Sequence, residues 1–598
     1  MLDINRTIAQ ELSVSPAQIE SVIKLIDEGS TIPFIARYRK EATGGLDDAQ
    51  LRTLEERLTY LRNLETRKAE VLNSIKEQGK LTEELCTSIE GATVMQRVED
   101  LYKPFKKKRA TRASKAREAG LEPLADLILA QARTGKSALE TAAAFVNAEG
   151  GFATAETALQ GAKDIVAEVI ADDAEHTATL RAFTKKTAAM AVEATDGDEK
   201  SVYEPYYDFS EPAQRIPNHR VLAINRGEKE GKLRVRVRSD QDAAIGQLSR
   251  RIARRNGVFA EALDEAIADS YKRLIAPSLE RELRSELTER AQADAIRVFA
   301  KNTESLLQQR PVKGARIIAL DPGYRTGCKV AVLDEFGKLL DYTTVYPTPP
   351  RRDVEGTKKT LDSLVKRHRI NTIVIGNGTA SRETEEVVSE FIAQSPAELR
   401  YTIVNEAGAS VYSASKLASE EYPDLDVTTR GAMSLGRRLQ DPLAELVKIP
   451  PQSIGVGQYQ HDLNQAELGR ALGDVVERVV NRVGVDLNTA SASLLGYVSG
   501  ISPAVAKNIV AYREENGAFT DRKQLKKVPK LGPKAFLNCA GFLRIRRRQP
   551  PRRHKRPSRK LCGCNRAAQT RRPQALDPRR RRRPRHRRTR WKRRNFGG

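Results

Sequence analysis

The sequence predicts a multidomain, mainly α protein that contains one α/β domain and a short tandem repeat of helical hairpins. Apolar residues recur at helical spacing through the first 200 residues, as in LEERLTYLRNLETRKAEVLNSI. Short apolar strands begin after Pro311 and Gly314 and then alternate with helices. Nearer the C-terminal end, LLGYVSGISPAVAKNIVAYR and LKKVPKLGPKAFLNCAGF repeat one order of apolar residues, tight turn, proline and helix.

The positive charge of the chain is concentrated at one end. The chain of 598 residues has 103 Lys and Arg against 78 Asp and Glu, a net charge of +25 that suggests a polyanionic partner. Residues 544–598 hold 25 of these bases and one acid, whereas the first 543 residues hold 78 bases and 77 acids. The body of the protein is therefore nearly neutral.

The chain shows the features of a cytoplasmic protein. It has no apolar run of membrane length and no apolar core of a signal peptide, so we expect no membrane partner. Its five cysteines are sparse, and Cys562 and Cys564 lack the further ligands that a zinc site needs. We therefore expect a reducing compartment and no bound metal.

The first two regions are predicted to be mostly helical. Residues 1–200 are a helical region. Residues 201–314 form a central region, in which HRVLAINRGEKEGKLRVRV alternates like two strands joined by a turn at Gly-Glu-Lys. Long helices resume beyond this predicted β-hairpin, from about 255 to 309.

Residues 315–450 have the strand order of an RNase H-like domain. ARIIALDPG and TGCKVAVLDEFGKLLDYTTVYP predict a meander of three strands, and the strands NTIVIGNG and RYTIVNEAG follow, separated by helices. Residues 451–482 are predicted to be a helical connector. The α/β domain should thus be one sheet with helices packed against it.

Acidic residues follow the strands of this domain. An RNase H-like nuclease needs acids that converge on two metal ions about 3.5–4 Å apart. Asp321 ends the first strand, Glu406 ends a later one and Asp441 opens a helix, so we expect these three to meet at one edge of the sheet. The sequence offers no clear fourth acid. Asn377, at the end of another strand, is uncharged, and Glu445 lies one helical turn beyond Asp441. We therefore expect a vestigial cluster without catalysis, in which Mg²⁺ would be needed only if a nuclease alternative holds.

Residues 483–545 contain the repeated hairpins, which predict tandem helix-hairpin-helix units. Glycine lets such a turn pass close to a phosphate, and the next helix then presents free backbone N–H groups. Such contacts would be independent of sequence and would suit RNA or DNA. The alternative is a pair of hairpins that only pack together. The predicted contact residues are Gly500, Ile501, Ser502, Lys507, Lys530, Leu531, Gly532 and Lys534.

Several motifs resemble the Tex family of bacterial transcription accessory proteins: FIARYRKEATGGLDD, IALDPGYRTGCKVAV, VGQYQHDL and VGVDLNTAS. The resemblance extends to about residue 545. It implies a helix-turn-helix-like part in the first region, a resolvase-like (YqgF) RNase H domain without established nuclease activity, tandem helix-hairpin-helix units and a final RNA-binding β-barrel.

The resemblance favours a non-enzymatic scaffold that binds RNA, DNA or both and acts with the transcription machinery. Two alternatives stay open. One is a metal-dependent nuclease of the RNase H or Holliday-junction type. The other is an interaction scaffold with little affinity for nucleic acid, because the body of the chain is nearly neutral.

Residues 546–598 depart from the family. They hold too few apolar residues to pack, which predicts disorder. They can be interpreted as an arginine-rich arm that binds RNA. They can also be the product of a frameshift that replaces the barrel, because codons for a family-like DATSVHPESY, shifted by one base, encode the RRHKRPSRKL of residues 552–561. We favour the frameshift.

Overall fold

The computed structural model describes residues 2–106, 110–195, 200–253, 257–455 and 457–545. Residues Met1–Arg546 form one compact unit. Within the described ranges, no helix combines the length and apolar character needed to cross a bilayer. The predictions for residues 546–598 lie outside the described part of the chain.

The N-terminal region is helical, as predicted. Several of its helices begin at side-chain caps: Ser15 and Gln18 form a reciprocal capping box at the start of the second helix, and Asp47 and Gln50 do so at the fifth. Leucines at helical spacing along the fifth helix are buried in a shared core. The helices are α1 (Ile4–Leu12), α2 (Pro16–Asp27), α3 (Ile32–Tyr38), α4 (Lys40–Thr43), α5 (Asp48–Glu77), α6 (Glu83–Glu90), α7 (Met95–Tyr102), α8 (Arg112–Glu118), α9 (Glu122–Ala130), α10 (Ala138–Ala142), α11 (Ala155–Asp172) and α12 (Ala174–Thr187).

The central region contains a three-stranded antiparallel sheet in the order β2-β1-β3, packed on long helices. Its elements are β1 (Ala189–Ala194), β2 (Asp208–Pro212), α13 (Asn218–Lys229), β3 (Leu233–Arg238), α14 (Gln241–Ile252), α15 (Ala260–Asp269) and α16 (Ala276–Leu307).

The β-hairpin predicted within residues 219–237 is wrong, because the first half of that stretch is helix α13. Val221 and Ile224, three residues apart, are both fully buried on one face of this helix. Gly227 lies where the side chain of Leu233 packs, so this glycine permits close contact between the helix and β3 rather than a turn. Strand β3 pairs with β1 instead.

The α/β domain has the predicted RNase H-like order. Its five-stranded sheet runs β6-β5-β4-β7-β8, in which the first three strands are antiparallel and β4, β7 and β8 are parallel. Helices cover both faces, which explains why the central strands are apolar on both sides. The elements are β4 (Ile317–Asp321), β5 (Cys328–Leu333), β6 (Leu339–Val345), α17 (Val354–His368), β7 (Thr372–Gly376), α18 (Ser381–Gln394), β8 (Arg400–Val404), α19 (Ala409–Ser413), α20 (Lys416–Glu421), α21 (Val427–Gln440) and α22 (Pro442–Leu446).

The last described region holds the helical hairpins. Two short strands at its ends pair in parallel and close the unit. Its elements are α23 (Gln465–Val483), β9 (Val485–Asp486), α24 (Ala492–Leu495), α25 (Pro503–Asn516), α26 (Pro533–Cys539) and β10 (Leu543–Arg544). The predicted fold class is confirmed: a multidomain, mainly α chain with an RNase H-like domain and helix-hairpin-helix units.

Candidate nucleic-acid interface

The two predicted turns repeat the same backbone hydrogen bond at an offset of 30 residues. The N–H of Ile501 donates to the carbonyl oxygen of Val498 at 2.9 Å. The N–H of Leu531 donates to the carbonyl oxygen of Val528 at 3.3 Å. A tight turn therefore precedes both α25 and α26.

One left-handed residue is required in each turn, and it is glycine in only one of them. Gly500 has φ of 78° and Lys530, at the equivalent position, has φ of 66°. A Cβ added to Gly500 would lie 2.6 Å from the Cβ of Asn538, so this glycine is also needed for close packing. Gly532 has φ of −73° and open space around it, so the prediction that its backbone angles require glycine is wrong.

The two hairpins pack against each other reciprocally. The side-chain amide of Asn508 on α25 donates to the carbonyl oxygen of Pro529 in the second turn at 2.8 Å. Asn538, 30 residues later on α26, lies against Gly500 in the first turn. The repeat thus forms one rigid pair with an approximate two-fold relation.

The start of each following helix remains exposed. At α25, Ser502 and Pro503 are exposed, and the Ser502 hydroxyl accepts a hydrogen bond from the N–H of Val505. At α26, Gly532 and Pro533 are exposed in the same positions. Proline at the first helical position has no N–H, so the backbone donors that follow it are the ones available to an anion.

The three predicted lysines differ in their surroundings. Lys507 and Lys530 are exposed, and neither has a hydrogen-bond or ion-pair partner in the part of the chain that the structure describes. The ammonium of Lys534 lies against Gly29, beside the C-terminal end of α2, where a cation is favoured. Lys534 therefore contacts the N-terminal region rather than the turns.

Sequence reasoning missed a group of bases beside the second turn. The segment Arg522–Lys527 is a 3₁₀ helix whose two last lysines, Lys526 and Lys527, are exposed just before that turn. The basic run RKQLKK was the visible indication. These lysines raise the positive charge next to Lys530.

Two of the predicted acids lie together at the carboxyl end of the RNase H-like sheet. A Cβ added to Gly376, at the end of β7, would lie 2.7 Å from an oxygen of Glu406. Burial, followed by the negative charge of Glu406, raises the pKa of Asp321 to about 6, with Lys329 opposing both effects. Asp321 therefore holds its proton more tightly than an ordinary aspartate does.

Asp441 lies at the opposite end of the sheet, so the prediction that it joins the other two acids is wrong. The side-chain amide of the preceding Gln440 donates to the carbonyl oxygen of Ala315 at 2.9 Å, just before β4 begins. The carboxylate of Asp441 accepts from the N–H of Ala444 and caps α22. Helix α21 runs back along β4, so the residue that faces Asp321 is Gly431, whose added Cβ would lie 3.2 Å from an Asp321 oxygen.

The loop that carries Glu406 is fixed by neutral and cationic side chains. The side-chain oxygen of Asn377 accepts a hydrogen bond from the N–H of Glu406 at 3.0 Å. Arg438, which is almost fully buried, donates to the carbonyl oxygens of Asn405 at 2.6 Å and Ala407 at 2.9 Å. Asn377 thus positions this loop where a nuclease would place a further acid.

The donor set does not fit a two-metal site. Glu445 is buried in an ion pair with Lys448 at 3.1 Å, as part of the helical packing. Only Asp321 and Glu406 remain at the predicted edge. Across the described ranges, no three His, Cys, Asp or Glu side chains are placed to hold a metal ion. Two Mg²⁺ ions would need more carboxylates than this edge provides.

Comparison with known proteins assigns the family. Protein tex of Bordetella pertussis is 50% identical over 564 residues, which cover 91% of this chain and 71% of that protein. The chain belongs to the Tex family. Transcriptional accessory protein Tex of Neisseria gonorrhoeae is 49% identical, with 91% of this chain and 72% of that protein covered. Human S1 RNA-binding domain-containing protein 1 is 37% identical over 91% of this chain and 56% of its own length.

Four family models match successive parts of this Tex-family chain: the Tex-like protein N-terminal domain at residues 2–76, the Tex central region-like model at 134–299, the Tex protein YqgF-like domain at 315–440 and the helix-hairpin-helix motif at 480–544. The YqgF-like match covers the RNase H-like sheet. The helix-hairpin-helix match covers both turns. Together these matches support nucleic-acid binding.

Proposed function

We propose that this Tex-family chain is a non-enzymatic, nucleic-acid-binding accessory protein of transcription that works in the cytoplasm. The observation that carries the proposal is the pair of equivalent turns, each followed by an exposed helix start. The name of the Neisseria relative supports the role in transcription.

The hairpins supply backbone contacts rather than base contacts. The positive end of α25 attracts a phosphate, and the exposed ammonium groups of Lys507 and Lys530 add charge beside it. Contacts with phosphates fix the position of a strand but carry no sequence information. RNA and DNA strands of any sequence should therefore bind with similar affinity at these turns.

The absence of catalysis is part of the proposal and rests on the acidic edge. Asp321 and Glu406 are two carboxylates without a third, and Gly431 occupies the helix position that faces Asp321. The neighbouring Asn377 and Arg438 hold backbone rather than a metal. The domain has the fold of an RNase H-like nuclease, but this edge lacks the set of metal ligands that such a nuclease needs.

The test removes two charges from the hairpins without straining them. In a chain that ends at residue 545, Lys507→Gln is combined with Lys530→Asn, because asparagine tolerates the left-handed backbone. Removing one lysine that touches a phosphate should reduce the salt slope of binding by about 1, so we expect a slope lower by about 2 and weaker binding to every sequence. The matched control carries Lys359→Gln and Lys416→Gln, at exposed lysines of the α/β domain. Equal slopes for the two double variants would show that the hairpins are structural.

A further inference from the structure

A second cationic site lies in the α/β domain, at the end of the sheet opposite Asp321. The N–H of Arg316, just before β4, donates to the side-chain oxygen of Asn371, just before β7. Beside this junction is a cavity of about 560 Å³, within the size range of ligand pockets. It is lined by Gly314, Arg316, Glu335, Arg367, His368 and Arg369.

The wall of this cavity is held in a defined geometry. Arg316 donates from Nε to the carbonyl oxygen of His368 at 2.8 Å and from Nη1 to Glu335 at 2.6 Å. Arg367 Nη1 and His368 Nε2 each lie 3.2 Å from the same oxygen of Asp341. These contacts join the start of β4, the end of α17 and the β5–β6 hairpin around one opening.

Three arginines and one acid line the opening, and the two chain segments that supply the arginines are basic. The segments 310–316 and 366–369 contain six bases and no acid. Three of these bases are paired, with Glu335, Asp341 and Asp362. The three others, Arg310, Lys313 and Arg369, are exposed, and their side chains have no hydrogen-bond or ion-pair partner among the described residues. Of these three, Arg369 lines the cavity.

Helix capping explains only part of this cluster. Bases in the last turn of α17 stabilise its C-terminal carbonyl groups, and the backbone N–H of Arg369 caps Val365 with φ of 54°. That role does not require Arg316, which reaches the same opening from the chain before β4. The described lining holds no Phe, Tyr or Trp, and the ring of His368 is held by Asp341, so the arginines are the main groups that the site offers to a ligand.

We infer that this cavity binds a phosphate group, and that the phosphate belongs to a nucleic-acid strand. Arginine suits this ligand because its planar guanidinium matches phosphate oxygens with two parallel hydrogen bonds. The assignment to a strand rests on the proposed function, whereas the assignment to phosphate does not. A free nucleotide or inorganic pyrophosphate offers the same chemistry, and the experiment separates these sources.

The test measures protection of single arginines in the full chain. The arginine-specific reagent phenylglyoxal is applied with and without inorganic pyrophosphate or a single-stranded oligonucleotide, and the modified peptides are quantified by mass spectrometry. At a ligand concentration about ten times Kd, modification of Arg369 should fall about tenfold. Arg400, a highly exposed arginine on β8, is the internal control and should react at an unchanged rate.

Each outcome is decisive. Protection by the oligonucleotide supports a strand, and protection by pyrophosphate alone supports the phosphate site but contradicts the strand. No protection by either probe, or equal protection of Arg400, overturns the inference. Arg369→Asn with Arg367→Gln should abolish protection of Arg316, whereas Arg400→Gln should preserve it. The hairpin variant Lys507→Gln/Lys530→Asn should leave protection by pyrophosphate intact, so failure here and failure of the hairpin proposal are distinguishable.

Discussion

Replacing Asp321 with asparagine should stabilise the α/β domain, and the gain should depend on pH. Burial and the charge of Glu406 raise the pKa of Asp321 from 3.8 to about 6, so the folded state binds its proton more tightly than the unfolded state. Its contribution to stability is complete below about pH 4 and is lost as the pH rises to about 6. Since one pKa unit is about 1.4 kcal/mol, the cost above pH 7 is on the order of 3 kcal/mol. Asp321→Asn removes this cost.

The assay must report on this domain alone, because a multidomain chain does not unfold in one step. Hydrogen exchange of peptides from β4 and β7 in urea would give the free energy of unfolding at pH 4 and pH 8. We expect the free energy of unfolding of the variant to exceed that of the parent by up to about 3 kcal/mol at pH 8 and by little at pH 4. The control Asp362→Asn, at an exposed carboxylate on α17, should change the free energy of unfolding by no more than about 0.5 kcal/mol at both pH values. A gain for Asp321→Asn that is equal at both pH values would refute the reasoning.

Two further predictions concern the hairpins and the basic segment. Gly500→Ala should destabilise the hairpin unit by about 1–3 kcal/mol, because a side chain is strained at its φ and meets Asn538, whereas Gly532→Ala should be neutral or slightly stabilising in the same urea titration. A similar loss in both variants would contradict the assignment of the left-handed position. Removing residues 546–598 should flatten the salt dependence of binding, because the 24 bases of this segment displace many counterions. Titration at several salt concentrations would check this. An unchanged slope would mean that the basic segment does not contact the ligand.

The sequence predicted the order of strands and helices in the α/β domain because the spacing of its apolar residues matches the pattern of burial in the structure. Strands buried on both faces read as continuous apolar runs, and the helices between them show a clear period. Prediction failed within residues 219–237, where Val221 to Ile224 is apolar at every position and fits a buried strand as well as a helix. Gly227 then suggested a turn, although its role is to let Leu233 approach.

The candidate site was predictable only where the chain order fixes position. Asp321 and Glu406 end strands of one sheet, so their proximity follows from topology. Asp441 lies beyond a helix whose direction along β4 was not evident from the sequence, and that direction places it at the far end. The roles of the two hairpin glycines depend on φ, and Lys530 occupies a position where sequence rules expect glycine.

Tail-less and full chains can be tested directly for the central claim that the protein binds nucleic acid without cutting it. Labelled RNA, single-stranded DNA and branched DNA are each incubated with protein and Mg²⁺ or Mn²⁺, and every sample is run on both a native and a denaturing gel. We predict a shifted complex on the native gel and a full-length strand on the denaturing gel. Cleavage that disappears in the Asp321→Asn variant would contradict the account and establish a metal-dependent nuclease.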